Sequence, residues 1–393
     1  MTKSSFCPAP WYHISTDVNG SIRPCCRYKQ PLGSNNNGQE KHKMPWMYTD
    51  TLEKHWNGPE FKKLRKAFMN GEKPPECEWC WREEDMGIKS YREDLILKQQ
   101  TQHITKDTVT EEADAPTSFD LKLSNVCNLK CRMCGPMASS MIKKEEDKTR
   151  TEPLDPKDYW LANKIMGTDN QEILDKWLPE ILNIELTGGE PLVSPENKQL
   201  LKYIAASGWA KNISLLITTN VTMYNKDVVN DLLKFKEIRI TASIDDTGDR
   251  LQYARGGARW ETILTNAKKY SALSKEYKKL TFNLMPTVNN YNIWYLNDII
   301  DFYHDIGADD LLFNMVHEPK NQSVQYLPED VKEKIKEKYR GNNNYQLQKV
   351  VSFLDASDED KLADFMSVTS QLDKRREESF DEVFPEFAEV LFG

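Results

Sequence analysis

The chain has 393 residues, of which 39% are hydrophobic and 29% charged, and its net charge is −8. These values describe a globular protein with room for a large domain and a smaller one, and they argue against a broad nucleic-acid-binding face. Apolar runs such as residues 212–219 are too short to cross a bilayer. The N-terminus lacks the pattern of a secretory signal, which predicts a cytoplasmic location where the eight cysteines are thiols or ligands.

The first predicted element is a β-hairpin that carries cysteines. Cys7 precedes an alternating stretch, a turn is predicted at Asn19 and Gly20, and a second alternating stretch leads to Cys25 and Cys26. The hairpin would bring thiols together at its open end.

A second pair of cysteines follows a predicted helical region at 51–71. Cys77 and Cys80 are separated by two residues, so they can join the hairpin thiols to give four ligands. Four thiolates fit either a zinc site or a [4Fe–4S] cluster, and the spacing does not choose between them. Trp11 and Trp81 lie beside these cysteines and are interpreted as core residues.

Three further cysteines, Cys127, Cys131 and Cys134, form a C-x3-C-x2-C pattern at the end of a short alternating run. Three thiolates can hold three irons of a [4Fe–4S] cluster and leave the fourth iron open for another ligand. A structural zinc site is the alternative, but it normally needs a fourth protein ligand, and no nearby Cys or His supplies one.

From residue 118 onward, β-type runs alternate with amphipathic stretches. The predicted strands lie within 118–125, 183–188, 213–220, 237–245, 280–288 and 311–317. Helices are predicted around 137–144, 156–178, from Ser194, and at 225–235, 260–274 and 293–307. Because such crossovers are right-handed, six β–α units predict an α/β fold in which a parallel sheet curls into a partial (β/α)6 TIM-like barrel.

Composition and pattern together predict four regions. They are a small N-terminal α+β cysteine domain at 1–96, a polar linker at 97–117, the barrel at 118–320 and a helical C-terminal extension at 321–393.

The end of the second barrel strand carries Gly188, Gly189 and Glu190. Two glycines allow a close approach of the backbone, and Glu190 adds a carboxylate. With the cysteine triplet after the first strand, this pattern resembles the radical S-adenosylmethionine (SAM) superfamily over about residues 118–317. The resemblance implies that the triplet binds a [4Fe–4S] cluster, that SAM chelates its fourth iron, and that the glycine motif receives the SAM amino group.

The resemblance also implies further SAM contacts. Ser243 would face the ribose, Arg255 the SAM carboxylate, and Asn220 the same cavity, although a strand-end turn or surface role is an alternative for each. Met133 stands where relatives usually have an aromatic residue, and its polarizable thioether can pack near adenine.

No acid–base group follows from the resemblance. Asp245, Asp246, His317 and Glu318 are candidates because they lie at predicted strand ends, and His317 is at least as compatible with a structural role.

The N-terminal cysteines are similar to the twitch/SPASM auxiliary-cluster module of radical SAM enzymes. Cys7, Gly20 and Cys25 occur in the order of that module, but here it precedes the barrel, whereas in most relatives it follows. Cys25 matches the ligand position better than Cys26, which is either a packed thiol or the true ligand. The resemblance implies an auxiliary [4Fe–4S] cluster.

The implied reaction is reductive cleavage of SAM, followed by abstraction of a hydrogen atom by the 5′-deoxyadenosyl radical. A one-electron donor such as flavodoxin or ferredoxin would supply the electron for this cleavage. The favoured substrate is a peptide or protein side chain, and the alternative is oxidation or epimerisation of a sugar or other small molecule. A non-catalytic metal-binding protein is a further alternative, against which the intact Gly188–Glu190 motif argues.

Overall fold

A computed structural model describes residues 4–18, 21–29, 52–85, 87, 89–98, 101–148, 174–357 and 359–393. The predicted hairpin turn at Asn19 and Gly20 and the predicted helix up to residue 173 lie outside the described residues. No helix of the described ranges is long and apolar enough to span a membrane.

The strands are short and are numbered in chain order. They are β1 His13–Thr16, β2 Ile22–Arg23, β3 Ser118–Leu121, β4 Lys130–Cys131, β5 Asn183–Leu186, β6 Ser214–Thr219, β7 Glu237–Ala242, β8 Arg255–Gly256, β9 Leu280–Leu284, β10 Thr287–Val288, β11 Asp310–Leu311 and β12 Asn314–Met315.

The α-helices with described bounds are numbered in the same way. They are α1 Ala9–Tyr12, α2 Leu52–Trp56, α3 Pro59–Met69, α4 Glu78–Asp85, α5 Tyr91–Leu97, α6 Ser140–Asp147, α7 Pro195–Ser207, α8 Lys226–Leu232, α9 Gly248–Ala254, α10 Trp260–Glu276, α11 Leu296–Ile306, α12 Glu329–Lys338, α13 Tyr345–Leu354, α14 Leu362–Arg376, α15 Phe380–Val383 and α16 Pro385–Phe392.

All six predicted barrel strands are present, as β3, β5, β6, β7, β9 and β11. β3 pairs in parallel with β5, β5 with β6, and β9 with β11. Helices α7 to α11 separate the later strands along the chain, as crossover connections between parallel strands require. The predicted α/β class is therefore confirmed, and helices α12 to α16 form the predicted helical C-terminal extension.

The chain divides into two compact units, and each is considered by itself. The first takes in the described parts of 1–127, 136–217 and 227–238, and the second takes in 128–135, 218–226 and the described parts of 239–393. In the first unit the strand order is β2-β1-β3-β5-β6.

The register of this sheet separates an apolar face from a polar one. Ile14, Phe119, Ile184 and Leu215 are partners across four strands, and each is at least 98% buried. Because strand side chains alternate, the next row presents Ser15, Asp120 and Glu185 to the opposite face. The apolar row builds the core of this unit.

Strand β1 belongs to two pairings. It forms the predicted antiparallel hairpin with β2, and it also lies parallel to β3. Ser15 Oγ donates to Asp120 Oδ2 at 2.8 Å, and a 2.9 Å hydrogen bond joins His13 Nδ1 to Ser118 Oγ. The cysteine hairpin thus extends the sheet that contains the first barrel strand, which the sequence does not predict.

The polar stretch before β3 is hydrogen-bonded to the N-terminal helices. Trp11 Nε1 donates to Thr110 O at 2.7 Å, and Trp56 Nε1 donates to Asp114 O at 2.6 Å. The buried Arg65 donates to Glu111 O at 3.0 Å. These bonds to main-chain oxygens hold the segment in place without regular secondary structure of its own.

In the second unit, β9 lies between β7 and β11. A short antiparallel pair joins β4 to β8, and β10 pairs in parallel with β12. The C-terminal helices contribute an aromatic cluster around Tyr291, in which ring centroids of Phe365 and Tyr253 lie 5.0 and 5.9 Å from that ring.

Candidate functional site

In the first unit, the Gly188–Glu190 turn is seated on the residues that precede Cys127. Gly188 and Gly189 have φ values of +76° and +54°, which favour glycine. A Cβ on Gly189 would stand 2.5 Å from Val126 O and 2.8 Å from Ser124 O. A side chain at position 189 would therefore clash with the main chain that precedes the cysteine triplet, so this position requires glycine.

Further hydrogen bonds fix Cys127 and Glu190. Glu190 N–H donates to Val126 O at 2.8 Å, and its buried carboxylate accepts from Leu192 N–H at 3.1 Å. Cys127 N–H donates to Ser140 Oγ at 3.2 Å. Cys127 is thus held between the glycine turn and the start of α6.

In the second unit, β4 places Cys131 directly opposite Arg255 of β8. Arg255 Nη1 lies 3.7 Å from Cys131 Sγ, within hydrogen-bonding distance of a sulfur acceptor. Arg255 Nε donates to Asp245 Oδ2 at 2.7 Å, and the other Asp245 oxygen accepts from Thr287 N–H at 2.8 Å. Asp245 therefore orients Arg255 toward the cysteine sulfur.

The surroundings of Cys131 favour its thiolate. A hydrogen bond from the Cys134 thiol and the charge of Arg255 lower the pKa of Cys131, although burial acts in the opposite direction. Since a thiolate is the form that binds metal, the loop carries one sulfur that is prepared for ligation.

The contact of Arg255 with the SAM carboxylate remains a prediction. The structure adds a contact between Arg255 and Cys131. Asp245, a candidate acid–base group, is fully buried and engaged with Arg255. Ser243 is half-buried, and its N–H donates to Thr219 O at 2.8 Å. Met133 is half-buried in the loop between Cys131 and Cys134.

Asn220 contacts the segment between Cys127 and Cys131. Its Nδ2 donates to Asn128 Oδ1 at 3.0 Å, and its Oδ1 accepts from Thr222. The next residue, Val221, is fully buried and has a φ of +61°. Positive φ is strained for a β-branched residue, and such strain clusters at functional sites. Sequence patterns do not reveal it, because valine is an ordinary residue at a strand end.

The other candidate acid–base groups are dispersed. Asp246 accepts from Arg250 Nε at 2.9 Å, and burial raises its pKa to about 7. His317 packs edge-on against Phe353, with ring centroids 5.1 Å apart, and Glu318 is exposed.

The N-terminal cysteines come together in the first unit. Cys7, Cys25, Cys77 and Cys80 line one small cavity, together with side chains that include Tyr28 and Arg92. Cys26 is exposed and does not line this cavity.

Local structure explains how these thiols meet. Cys77 ends a 3-10 turn at Pro75–Cys77, and Cys80 follows one helical turn later in α4, so both thiols project from one side. Lys29 N–H donates to Glu76 O at 2.9 Å, which brings the chain after the hairpin beside the Cys77 turn.

Arg92 is a functional candidate that the sequence does not reveal. It is buried, donates to Phe6 O at 2.7 Å and pairs with Glu84 at 2.6 Å. Phe6 precedes Cys7, and Glu84 lies one helical turn after Cys80. Arg92 therefore cross-links the segments that carry two of the four thiols.

The chemistry of this cavity fits a metal cofactor. Burial raises the pKa of the Cys7 thiol to about 12 and raises that of Cys25 as well. Such thiols lose their protons when a cation compensates the charge, which is how metal binding couples to ionisation. Across the described ranges, no three Cys, His, Asp or Glu side chains are close enough to share a single ion, and the thiols line the cavity instead.

Comparison with protein families finds one matching model over each of the two cysteine-containing regions. Residues 121–303 match the radical SAM superfamily, and residues 7–81 match SPASM, an iron–sulfur cluster-binding domain. The chain therefore contains a radical SAM domain at residues 121–303 and, before it in the sequence, a SPASM domain at residues 7–81. Its cofactors are those of the two domains, namely SAM with a [4Fe–4S] cluster and an auxiliary iron–sulfur cluster.

Three curated proteins are similar to part of this chain. An uncharacterized protein of Methanocaldococcus jannaschii is 26% identical over 53% of this chain and 65% of its own length. GTP 3′,8-cyclase of Nostoc punctiforme is 25% identical, over 44% and 49%. The subtilosin biosynthesis protein AlbA of Bacillus subtilis is 24% identical, over 55% and 43%. The chain thus spans between about two fifths and two thirds of the length of these relatives.

Among solved structures, anSMEcpe with bound AdoMet has a TM-score of 0.40 and 21% identity, and the match covers 57% of this chain and 60% of that one.

Proposed function

We propose that Cys127, Cys131 and Cys134 hold the SAM-binding cluster, and that this site cleaves SAM reductively. The observation that carries this proposal is the seating of Gly188–Glu190 on residues 124–126, directly before Cys127. It joins the motif that would receive the SAM amino group to the motif that would hold the cluster. The lowered pKa of Cys131 supports the same assignment.

When bound, the cluster and SAM supply a 5′-deoxyadenosyl radical, which removes a hydrogen atom from the substrate. The residues of the chain position the reactants. Arg255 would bind the SAM carboxylate as a fork-shaped donor oriented by Asp245, and Ser243 would contact the ribose. Buried strand ends around Asp245 would keep water away from the radical.

The auxiliary cluster is assigned to Cys7, Cys25, Cys77 and Cys80, since these four thiols line one cavity. A cluster held by four protein ligands suits electron transfer, because none of its irons is left open for substrate.

A peptide or protein side chain is the proposed substrate. The similarity to AlbA, whose name places it in the biosynthesis of a bacteriocin, supports this choice. The similarity to GTP 3′,8-cyclases supports a small-molecule substrate as the second candidate. A one-electron donor such as flavodoxin or ferredoxin would reduce the cluster, and cysteines in the thiol form suit a reducing cytoplasm.

Anaerobic reconstitution tests the cofactor assignment. We expect about eight irons per chain, four for each [4Fe–4S] cluster, and formation of 5′-deoxyadenosine from SAM under dithionite. About four irons with one zinc would overturn the auxiliary assignment. Absence of 5′-deoxyadenosine from a protein with full iron content would overturn the catalytic one.

Substrate class is tested with the reconstituted enzyme and two sets of compounds. Peptides encoded near the gene should raise the rate of SAM cleavage and gain a mass change detectable by mass spectrometry. Consumption of GTP or a sugar coupled to 5′-deoxyadenosine, with no change in any peptide, would favour the second candidate.

A further inference from the structure

Arg132 lies between two of the cysteines assigned to the SAM-binding cluster, and its side chain is fully buried. A buried guanidinium is costly unless charged and polar partners compensate it. The contacts of Arg132 therefore show which groups compensate its buried charge.

Its partners come from the C-terminal extension. Arg132 Nη2 lies 2.5 Å from Asp373 Oδ1 and 2.5 Å from Glu378 Oε2. Asp373 is in the last turn of α14, and Glu378 follows the end of that helix. Two carboxylates from a segment some 240 residues further on thus meet a residue of the cysteine loop.

The main chain and the ring beside Arg132 complete the attachment. The Arg132 guanidinium lies 3.5 Å from the centroid of the Tyr253 ring, and Arg132 N–H donates to Ala254 O at 2.8 Å. Gln322 Nε2 donates to Arg132 O at 2.8 Å. The loop is therefore held through both side chain and backbone.

The carboxylate side of this contact is preorganised. Tyr253 OH donates to Asp373 Oδ1 at 2.7 Å, and Phe380 N–H donates to Asp373 Oδ2 at 2.9 Å. Glu377 ends α14 with a φ of +57°, which turns the chain so that Glu378 reaches Arg132. Both oxygens of Asp373 are thus fixed by neighbours other than Arg132.

A second contact from the C-terminal extension reaches β8, the partner of the strand that carries Cys131. A Cβ on Gly256 would stand 3.1 Å from Arg376 Nη1, and Gly256 is the partner of Lys130 in the β4–β8 pair. The last turn of α14 therefore reaches the strand pair that carries Cys131 as well as the loop that follows it.

We propose that Arg132, Asp373 and Glu378 form a clamp through which the C-terminal extension positions Cys131 and Cys134 and so controls how firmly the SAM-binding cluster is held. This inference rests on the proposed assignment of the cysteine triplet. The three residues are positioning residues, because they act through the two ligands.

The test compares two variants of the C-terminal extension. Asp373→Asn combined with Glu378→Gln removes both clamp charges at constant shape. Glu359→Gln is the matched control, since Glu359 pairs with Lys320 on the exposed surface of the same extension. Hydrogen exchange of residues 128–135 is measured in the apoprotein, and loss of iron to a chelator and the SAM-induced change in the EPR signal are measured after reconstitution.

The clamp predicts faster exchange at 128–135, about 10- to 100-fold faster loss of the SAM-sensitive cluster in the double variant, and no change in the control. Arg132→Lys, which keeps the charge but not the fork, should lie between wild type and the double variant. Wild-type exchange and cluster retention in the double variant would overturn the clamp. If the double variant does not fold, wild-type values in Arg132→Lys would overturn it.

These results separate the two proposals. Absence of a SAM-sensitive EPR signal in the wild type contradicts the cluster assignment itself. A normal wild-type signal that is unchanged in the variants contradicts only the clamp.

Discussion

The two cysteine sets differ in what surrounds their sulfur atoms. In the loop after the first barrel strand, Cys131 Sγ lies 3.7 Å from Arg255, and a hydrogen bond from Cys134 and this cation lower its pKa. In the N-terminal domain, burial raises the pKa of Cys7 to about 12. A hydrogen bond and a nearby cation thus lower the pKa of one thiol of the first set, whereas burial raises the pKa of thiols in the second set.

This difference fits the different roles proposed for the SAM-binding cluster and the auxiliary cluster. In the proposed assignment, the three-cysteine loop would leave one iron open for an exchangeable ligand, so groups around the loop, such as Asp245 behind Arg255, would have to maintain its geometry. In the proposed assignment, the four cysteines around one cavity would complete the coordination of a cluster by themselves. The N-terminal domain therefore depends on what binds its segments to each other, above all Arg92.

The largest expected effect on activity and iron content comes from removing one cysteine of the triplet. Cys131→Ala should abolish SAM cleavage and lower the iron content from about eight to about four, because only the SAM-binding cluster loses a ligand. Iron analysis and 5′-deoxyadenosine measured by chromatography check this. Retention of SAM cleavage would show that Cys131 is not a ligand.

A matched pair of substitutions in the N-terminal domain should have the next largest effect. Cys25→Ser should remove the auxiliary cluster, while Cys26→Ser should retain about eight irons, because Cys25 lines the cavity and Cys26 does not. Iron analysis and Mössbauer spectroscopy compare the two proteins. Loss of iron in Cys26→Ser alone would reverse this choice of ligand.

Features of the two cysteine sets and of the fold that depend on local sequence patterns can be predicted from the sequence. The spacing of Cys127, Cys131 and Cys134, the glycine turn and the six barrel strands are short-range features with clear periodicity or residue type. The choice of Cys25 over Cys26 needs the cavity, because adjacent cysteines have the same spacing to Cys77 within one residue.

Contacts between distant segments are not predictable in this way. The pairing of β1 with β3 joins His13 to Ser118 across 105 residues, and a four-residue strand does not specify its partner. Arg132 and Arg92 are ordinary arginines in the sequence, and only folding reveals that each is buried against carboxylates. Their roles depend on residues that no motif connects.

Breaking the Arg92 pair should destabilise the N-terminal domain. Glu84→Gln leaves a buried guanidinium without its carboxylate, and removal of one partner of a buried pair costs about 3–5 kcal/mol. Glu359→Gln, at an exposed pair, should cost less than about 1 kcal/mol. Denaturant unfolding of both variants checks the contrast, and equal losses would contradict a structural role for Arg92.

The smallest expected effect concerns pH and the β1–β3 pairing. Burial lowers the pKa of His13 from 6.5 to about 4, so the unfolded chain binds a proton in this range that the folded protein does not. The free energy of unfolding should therefore fall as the pH falls from about 6.5 to about 4, with His13 contributing at most about 3 kcal/mol. His13→Gln should make this fall smaller, as measured by urea unfolding at several pH values. An identical pH dependence in both proteins would show that His13 is not buried as a neutral side chain.

The most direct test of two distinct clusters is EPR of the reduced, reconstituted protein with and without SAM. We expect two [4Fe–4S] signals, of which one changes on addition of SAM. In a protein with Cys77→Ala and Cys80→Ala, only the SAM-sensitive signal should remain. A single signal in the wild type, or two signals that are both unchanged by SAM, would contradict the presence of two distinct clusters of which one binds SAM.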